Sequence, residues 1–186
     1  MSSLALWIAL LSAFVLAVVR ARPAALFTFR TQDVLWGIAV GLGLRLLQGV
    51  LTRANSSEFP QLGPLPEHES ISWIFSNLVA PVLIGPVVEE LYFRAVLLVV
   101  IYQLLRRGSG SLAAAATATL VSAGLFVILH VVFAPLSLLG SVQLFLFGCT
   151  LSGLVFLTGR VWPAVLAHVT YNGTFFVLGA LGLVLA

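Results

Sequence analysis

Apolar stretches near the ~20 residues that a bilayer core demands recur along this chain with little between them. The chain has 186 residues, of which 61% are hydrophobic and only 8% charged. A soluble domain needs far more charge than this to cover its surface. The pattern predicts an all-α, polytopic integral membrane bundle of about six transmembrane spans, one membrane-embedded domain over 1–186. The first span runs from about Leu4 to Val19 and the second from Val34 to Leu51. A polar loop, 52–70, carries Asn55, Ser56, Pro60, Pro64 and Pro66. The third run, Ile71 to Leu105, is too long for one perpendicular crossing, so Pro81, Gly85 and Pro86 are expected to kink or divide it. The last three spans cover about Leu112–Phe133, Leu136–Leu157 and Trp162–Leu185. Charge follows the first apolar run instead of preceding it, which argues against a secretory signal peptide.

All nine basic residues are arginine, a usage that fits a GC-rich genome. Apart from Arg45 and Arg94 they sit singly or in pairs near span ends rather than clustered, which excludes a nucleic-acid partner. Arg20, Arg22 and Arg30, then Arg106 and Arg107, then Arg160 mark three loops on one side, expected to be cytoplasmic. Arg53 dissents, and Glu58, Glu67, Glu69 and His68 fall on the opposite side. The expected location is a bacterial cytoplasmic membrane. One cysteine, Cys149, rules out an internal disulfide and reads as a small packing residue. Gly37-xxx-Gly41 and Gly148-xxx-Ser152 are spaced to let helices approach closely.

Against this background the run PVLIGPVVEELYFRAVLLVV stands out. Ionisable side chains at membrane depth cost roughly 2.5–3.5 kcal/mol each on insertion scales, and they mark function by default. Glu90 and Arg94 are four residues apart, on one helical face and in the favoured acid-first order. Glu89 points about 100° away and is left to meet water, as a general base must. His130 ends GLFVILH, and His168 precedes Asn172 by one turn in PAVLAHVTYN. Two carboxylates, two imidazoles and an amide on three spans make the inventory for activating water and stabilising a tetrahedral intermediate. Each also has a plainer reading: an interhelical ion pair for Glu90–Arg94, and interhelical hydrogen bonds for His130 and Asn172. Arg45, in the second span, either neutralises a carboxylate or extends toward a headgroup. Proton-coupled transport also uses intramembrane Glu and His, though no internal duplication accompanies them. A non-proteolytic scaffold or immunity protein is the third alternative.

EELYFR, GLFVILH and HVTYN resemble, in order and on separate spans, the EExxxR, FxxxH and HxxxN signatures of the CPBP family. This is the CAAX-protease and bacteriocin-processing (Abi) group of intramembrane endopeptidases. The resemblance implies a catalytic core over about 71–186 and a peptide or protein substrate, with a lipidated one among the candidates. It implies that Glu89 activates water with help from His130, and that Glu90 and Arg94 support that geometry. His168 and Asn172 complete the site, Asn172 as an oxyanion donor. Glu89, His130 and His168 are the donors a zinc ion would take, yet the HExxH spacing is absent. A metal-free glutamate mechanism is the favoured reading. One conflict follows from counting ~1.5 Å per residue: Glu89 and His130 lie about 25 Å from the cytoplasmic loops and His168 only about 9 Å. A kink at Pro86, or a connection between Gly159 and Pro163 that dips into the membrane, is expected to reconcile them.

Overall fold

A computed structural model describes residues 3–21, 23–56, 59–60 and 71–185. The expectations about Arg22, Glu58, Pro64, Pro66, Glu67, His68 and Glu69 lie outside those residues. Among the described residues there are six helical spans and no strands. They are α1 (Ser3–Ala21), α2 (Thr31–Leu51), α3 (Ile71–Ser109), α4 (Ser111–Phe133), α5 (Leu138–Thr158) and α6 (Trp162–Leu185). All six are long and apolar enough to cross a bilayer, and the protein is an integral membrane protein.

The third run is not divided. Its backbone stays helical from Ile71 to Ser109, and the prolines are absorbed by a wider turn. Pro81 lies within a π-type stretch, Phe75–Ile84, in which bonds reach five residues back. Proline has no N–H to give and its ring crowds the preceding turn, and a locally wider turn relieves both. Pro86 then opens the regular turn Gly85–Tyr92, where its fixed φ suits a helix start. A second π-type stretch, Phe93–Leu97, follows the glutamates.

The small-residue patterns are interfaces. The α2 and α6 helices run parallel, and a Cβ added at Gly37 would stand 2.3 Å from Leu166 Cβ. One at Gly41 would stand 2.6 Å from the Ala167 carbonyl oxygen. Only glycine allows that approach. On the other side, a Cβ at Gly148 would meet Ala123 at 3.0 Å, and Ser122 donates from Oγ to the Phe93 carbonyl at 3.1 Å. Side-chain hydroxyls and close backbones thus hold α3, α4 and α5 together, as packing between lipid-embedded helices requires. The core here comprises Leu98, Phe126 and Leu151, all fully buried, with Phe93 and Phe147 stacked edge-on or face-on around Phe126.

At one end the α1–α2 linker is tied to the α5–α6 turn. Val161 N–H donates to the Leu26 carbonyl at 3.0 Å, and Trp162 Nε1–H to the Phe27 carbonyl at 2.9 Å. Beside them the Arg160 guanidinium grips buried Asp33 through Nε and Nη2, at 2.5–3.1 Å. Asp33 also accepts the Arg30 backbone N–H at 2.9 Å, and Arg160 Nη1 donates to the Thr158 carbonyl. Gly159 turns the chain at φ 68°, a left-handed conformation suited to glycine.

This tie accounts for the depth conflict. Ser109 lies about 28 Å along the helix from Glu90, whereas Trp162 lies only about 9 Å from His168. Yet His168 and Glu90 are in hydrogen-bond contact. The ends are therefore not flush: the α3–α4 connection stands well beyond the start of α6, measured along the helices.

Candidate active site

Glu90 and Arg94 occupy the centre, both with no solvent exposure. Arg94 Nε lies 3.1 Å from Glu90 Oε2, an ion pair whose hydrogen points too far off line to make a hydrogen bond. Arg94 Nη2 donates to the Gly148 carbonyl at 3.2 Å, and the guanidinium carbon sits 4.7 Å from the Phe126 ring centroid. Nη1 has no hydrogen-bond acceptor among the described residues, so the aromatic face takes its place. The absent Cβ at Gly148 matters here, because it would lie 3.4 Å from Arg94 Nη2.

The other Glu90 oxygen, Oε1, accepts from His168 Nδ1 at 2.9 Å. Glu90, held beside Arg94, accepts this bond, which puts a hydrogen on Nδ1 and leaves Nε2 as the nitrogen that faces away from Glu90. His130 obeys the same logic. Its Nδ1 lies 2.9 Å from the Phe126 carbonyl, an acceptor only, so its Nε2 is also the free nitrogen. Both Nε2 atoms then face one atom, Glu89 Oε2, each at 4.0 Å. Glu89 and His130 keep partial exposure, 14% and 32% of their side chains, where Glu90 and Arg94 keep none. Phe126 and Phe147 fix the ring planes, with centroids 4.5 Å from His130 and 4.9 Å from His168 respectively.

Asn172 is placed differently. Its Nδ2 donates to the Pro81 carbonyl at 2.8 Å. The need for that bond is written in the backbone. Gly85 N–H reaches back to the Ala80 carbonyl, so the next donor in the ladder, at residue 86, is the one Pro81 awaits. Residue 86 is proline and has no N–H. Asn172 supplies the missing hydrogen from α6, and keeps a second amide hydrogen.

The structure thus groups Glu89, Glu90, Arg94, His130 and His168 directly, and ties Asn172 to the same helix two turns away. Asp33 and its grip on Arg160 escaped the sequence reading, which treated Arg160 only as a topological marker. A lone acid immediately before the second apolar run was the available signal. The two prolines five apart were the signal for the Asn172–Pro81 bond. Arg45 finds no carboxylate among the described residues. It donates to the Tyr171 carbonyl, Gln48 Oε1 and Thr174 Oγ1, with Tyr171 Oη-bearing ring beneath it.

Zinc would take Glu89, His130 and His168, which are donors of the right kind. Bonds of ~2.0–2.2 Å around a tetrahedral ion place neighbouring donors about 3.3–3.5 Å apart. The 4.0 Å spacings are wider, and among the described residues no three His, Cys, Asp or Glu side chains form a ready metal cage. The donors as placed do not fit a zinc ion, and no step below is routed through one.

Fold and site together define a membrane-embedded helical protein that encloses an acid–imidazole cluster within its bundle. Residues 71–174, more than half of the chain, match the family model described as type II CAAX prenyl endopeptidase Rce1-like. The chain belongs to this family of proteases, and all six expected site residues lie within the matched region. No curated protein and no solved structure matches it.

Proposed function

We propose that this protein is an intramembrane endopeptidase that hydrolyses a peptide bond near the membrane with water activated by Glu89. The observation that carries the reading is the convergence of two free imidazole nitrogens on one carboxylate oxygen, at 4.0 Å each. That gap suits a bridging water, which hydrogen-bonds at ~2.8 Å to each neighbour. Such a water donates one hydrogen to Glu89 and the other to an imidazole Nε2, and turns a lone pair toward the substrate carbonyl carbon.

As the C–O bond forms, Glu89 takes the water proton. When the tetrahedral intermediate collapses, Glu89 returns that proton to the departing amide nitrogen and the C–N bond breaks. Glu90 and Arg94 do not touch the reacting atoms in this scheme; they hold His168 in the tautomer that leaves Nε2 unprotonated. The second amide hydrogen of Asn172 serves the oxyanion, while the first keeps α6 docked on α3. The family description favours a substrate cut near a lipid-bearing C-terminus, and membrane-bound peptides undergoing maturation share the same access route. A bacterial cytoplasmic membrane is the proposed location.

The test is a proteomic comparison of membranes carrying the wild type and Glu89→Gln. The expected result is one or more membrane peptides whose processing disappears in the variant while its abundance and melting temperature hold. Identical peptide profiles would sink the protease reading. Lost solute flux with intact peptides would move the cluster to proton-coupled transport, and unchanged partner activity would move it to a scaffold.

A further inference from the structure

A cavity of about 330 Å³ opens beside the Asp33–Arg160 clamp, between the first turns of α2 and the last turns of α5. Arg30, Gln32 and Arg160 line it at the helix ends, and Trp36, Leu154 and Leu157 supply its apolar surface. Trp36 lies four residues past Gln32 along α2, and Leu154 four residues before the end of α5, so each is about 6 Å further into the bundle than the polar groups. A polar end outermost and an apolar wall inward is the order in which a phospholipid enters a bilayer leaflet. The charge is unbalanced as well. Asp33 gives both carboxylate oxygens to Arg160. Glu89 and Glu90, the other two acids among the described residues, belong to the cluster around His168. The remaining acids of the chain, Glu58, Glu67 and Glu69, fall in the segment that joins the opposite end of α2 to the start of α3. Two guanidinium groups face one carboxylate here, and arginine keeps its charge at all accessible pH.

We propose that this cavity binds one acidic phospholipid of the leaflet that the arginines mark as cytoplasmic, its phosphate on Arg30 and its acyl chains leaving past Trp36. Charge complementarity selects an acidic headgroup, since a zwitterionic one carries a cation of its own toward the two arginines. Arg30 is exposed, and its planar fork suits two phosphate oxygens. The volume is at the low end for small-molecule sites, room for a headgroup with the chains lying outside against α2. Trp36, 48% exposed, has an apolar ring and a polar N–H, the combination that settles at the boundary between headgroups and hydrocarbon. The lipid sits against the clamp and so helps to hold the α1–α2 linker to the α5–α6 turn. The site stands independently of the peptidase reading, because it contains none of the residues assigned to cleavage.

The test uses the full chain purified in detergent, titrated with dioleoylphosphatidylglycerol or dioleoylphosphatidylcholine and read by native mass spectrometry. The wild type is expected to retain one phosphatidylglycerol several-fold more strongly than phosphatidylcholine, whose chains are the same. Arg30→Gln should lower phosphatidylglycerol retention about tenfold, the worth of one charge-assisted anchor. That variant keeps the backbone N–H at residue 30 that Asp33 accepts, so the clamp survives. Leu157→Glu places a negative charge at an 83% exposed position on the rim and should lower retention by a similar factor. It keeps the idea testable if Arg30→Gln folds poorly. Equal retention by the wild type and both variants would overturn the proposal, and so would equal retention of the two lipids. Inorganic phosphate raising the melting temperature of the wild type as much as phosphatidylglycerol does would overturn it too, since the ligand would then be a free anion.

Discussion

Two charged clusters lie at different levels of the bundle, and they are finished to different degrees. In the Asp33–Arg160 clamp, both carboxylate oxygens face the guanidinium at 2.5–3.1 Å, and a backbone N–H adds a further bond. In the Glu89–His130–His168 cluster, the ring nitrogens stop 4.0 Å short of the carboxylate. The clamp is saturated; the cluster is not. Saturation is what a joint between chain segments needs, since a partly satisfied buried charge is a standing cost. An open gap with residual exposure is what a site needs if a third molecule is to enter. The contrast teaches that charge at membrane depth is informative only together with how fully it is satisfied.

The largest expected effect tests the open cluster. Glu89→Gln keeps the shape and removes the base, and should lower cleavage about 10³-fold, within the usual range for general-base catalysis. Its melting temperature should match the wild type, measured by fluorescence in detergent. A collapse of stability instead would make Glu89 a structural partner like Asp33, and the comparison would break. Next comes the scaffold that both clusters share. Gly37→Leu drives a side chain into Leu166, and should cost about 2–3 kcal/mol of stability by overpacking. Its specific activity per folded molecule should fall as well, because α6 carries His168.

A smaller effect tests the clamp. Asp33→Asn leaves Arg160 without its counter-charge and should lower the melting temperature by several degrees. Cleavage by the molecules that remain folded should persist, since Asp33 and Arg160 pair with each other while Glu89 faces His130 and His168. Loss of cleavage without loss of stability would assign the clamp to catalysis. The smallest effect concerns depth. With Cys149 replaced, Phe29→Cys and Leu112→Cys both place a thiol at an exposed position, one beside Trp162 and one at the start of α4. A charged thiol reagent should label Leu112→Cys several-fold faster if the clamp sits below the headgroups. Equal rates would place both ends at one level.

Much of this was legible in the residues. Six apolar runs predict six spans because length and hydropathy are local properties. The pairing of Glu90 with Arg94, and the divergence of Glu89 from it, follow from 3.6 residues per turn. What spacing could not convey was anything that depends on how helices slide past one another. Asp33 and Arg160 meet across 127 residues, and neither lies in a pattern that points to the other. The apparent mismatch in depth came from treating all helices as flush with one plane, whereas α6 starts far short of the α3–α4 turn. Arg45 was expected to meet a carboxylate or a headgroup, and its actual partners are carbonyl, amide and hydroxyl groups on its own helix and on α6.

The proline pair in α3 has a consequence for how the protein is made. Pro81 leaves the ribosome long before Asn172, yet its carbonyl has no donor within its own helix. In hydrocarbon an unsatisfied carbonyl is costly, so α3 cannot be at rest as a lone span. Only α6, synthesised later, brings the amide that completes it, 91 residues on. The same segment brings His168. The nascent chain therefore carries its glutamates through the membrane without their second imidazole, and assembly of the helix and arming of the site become one event.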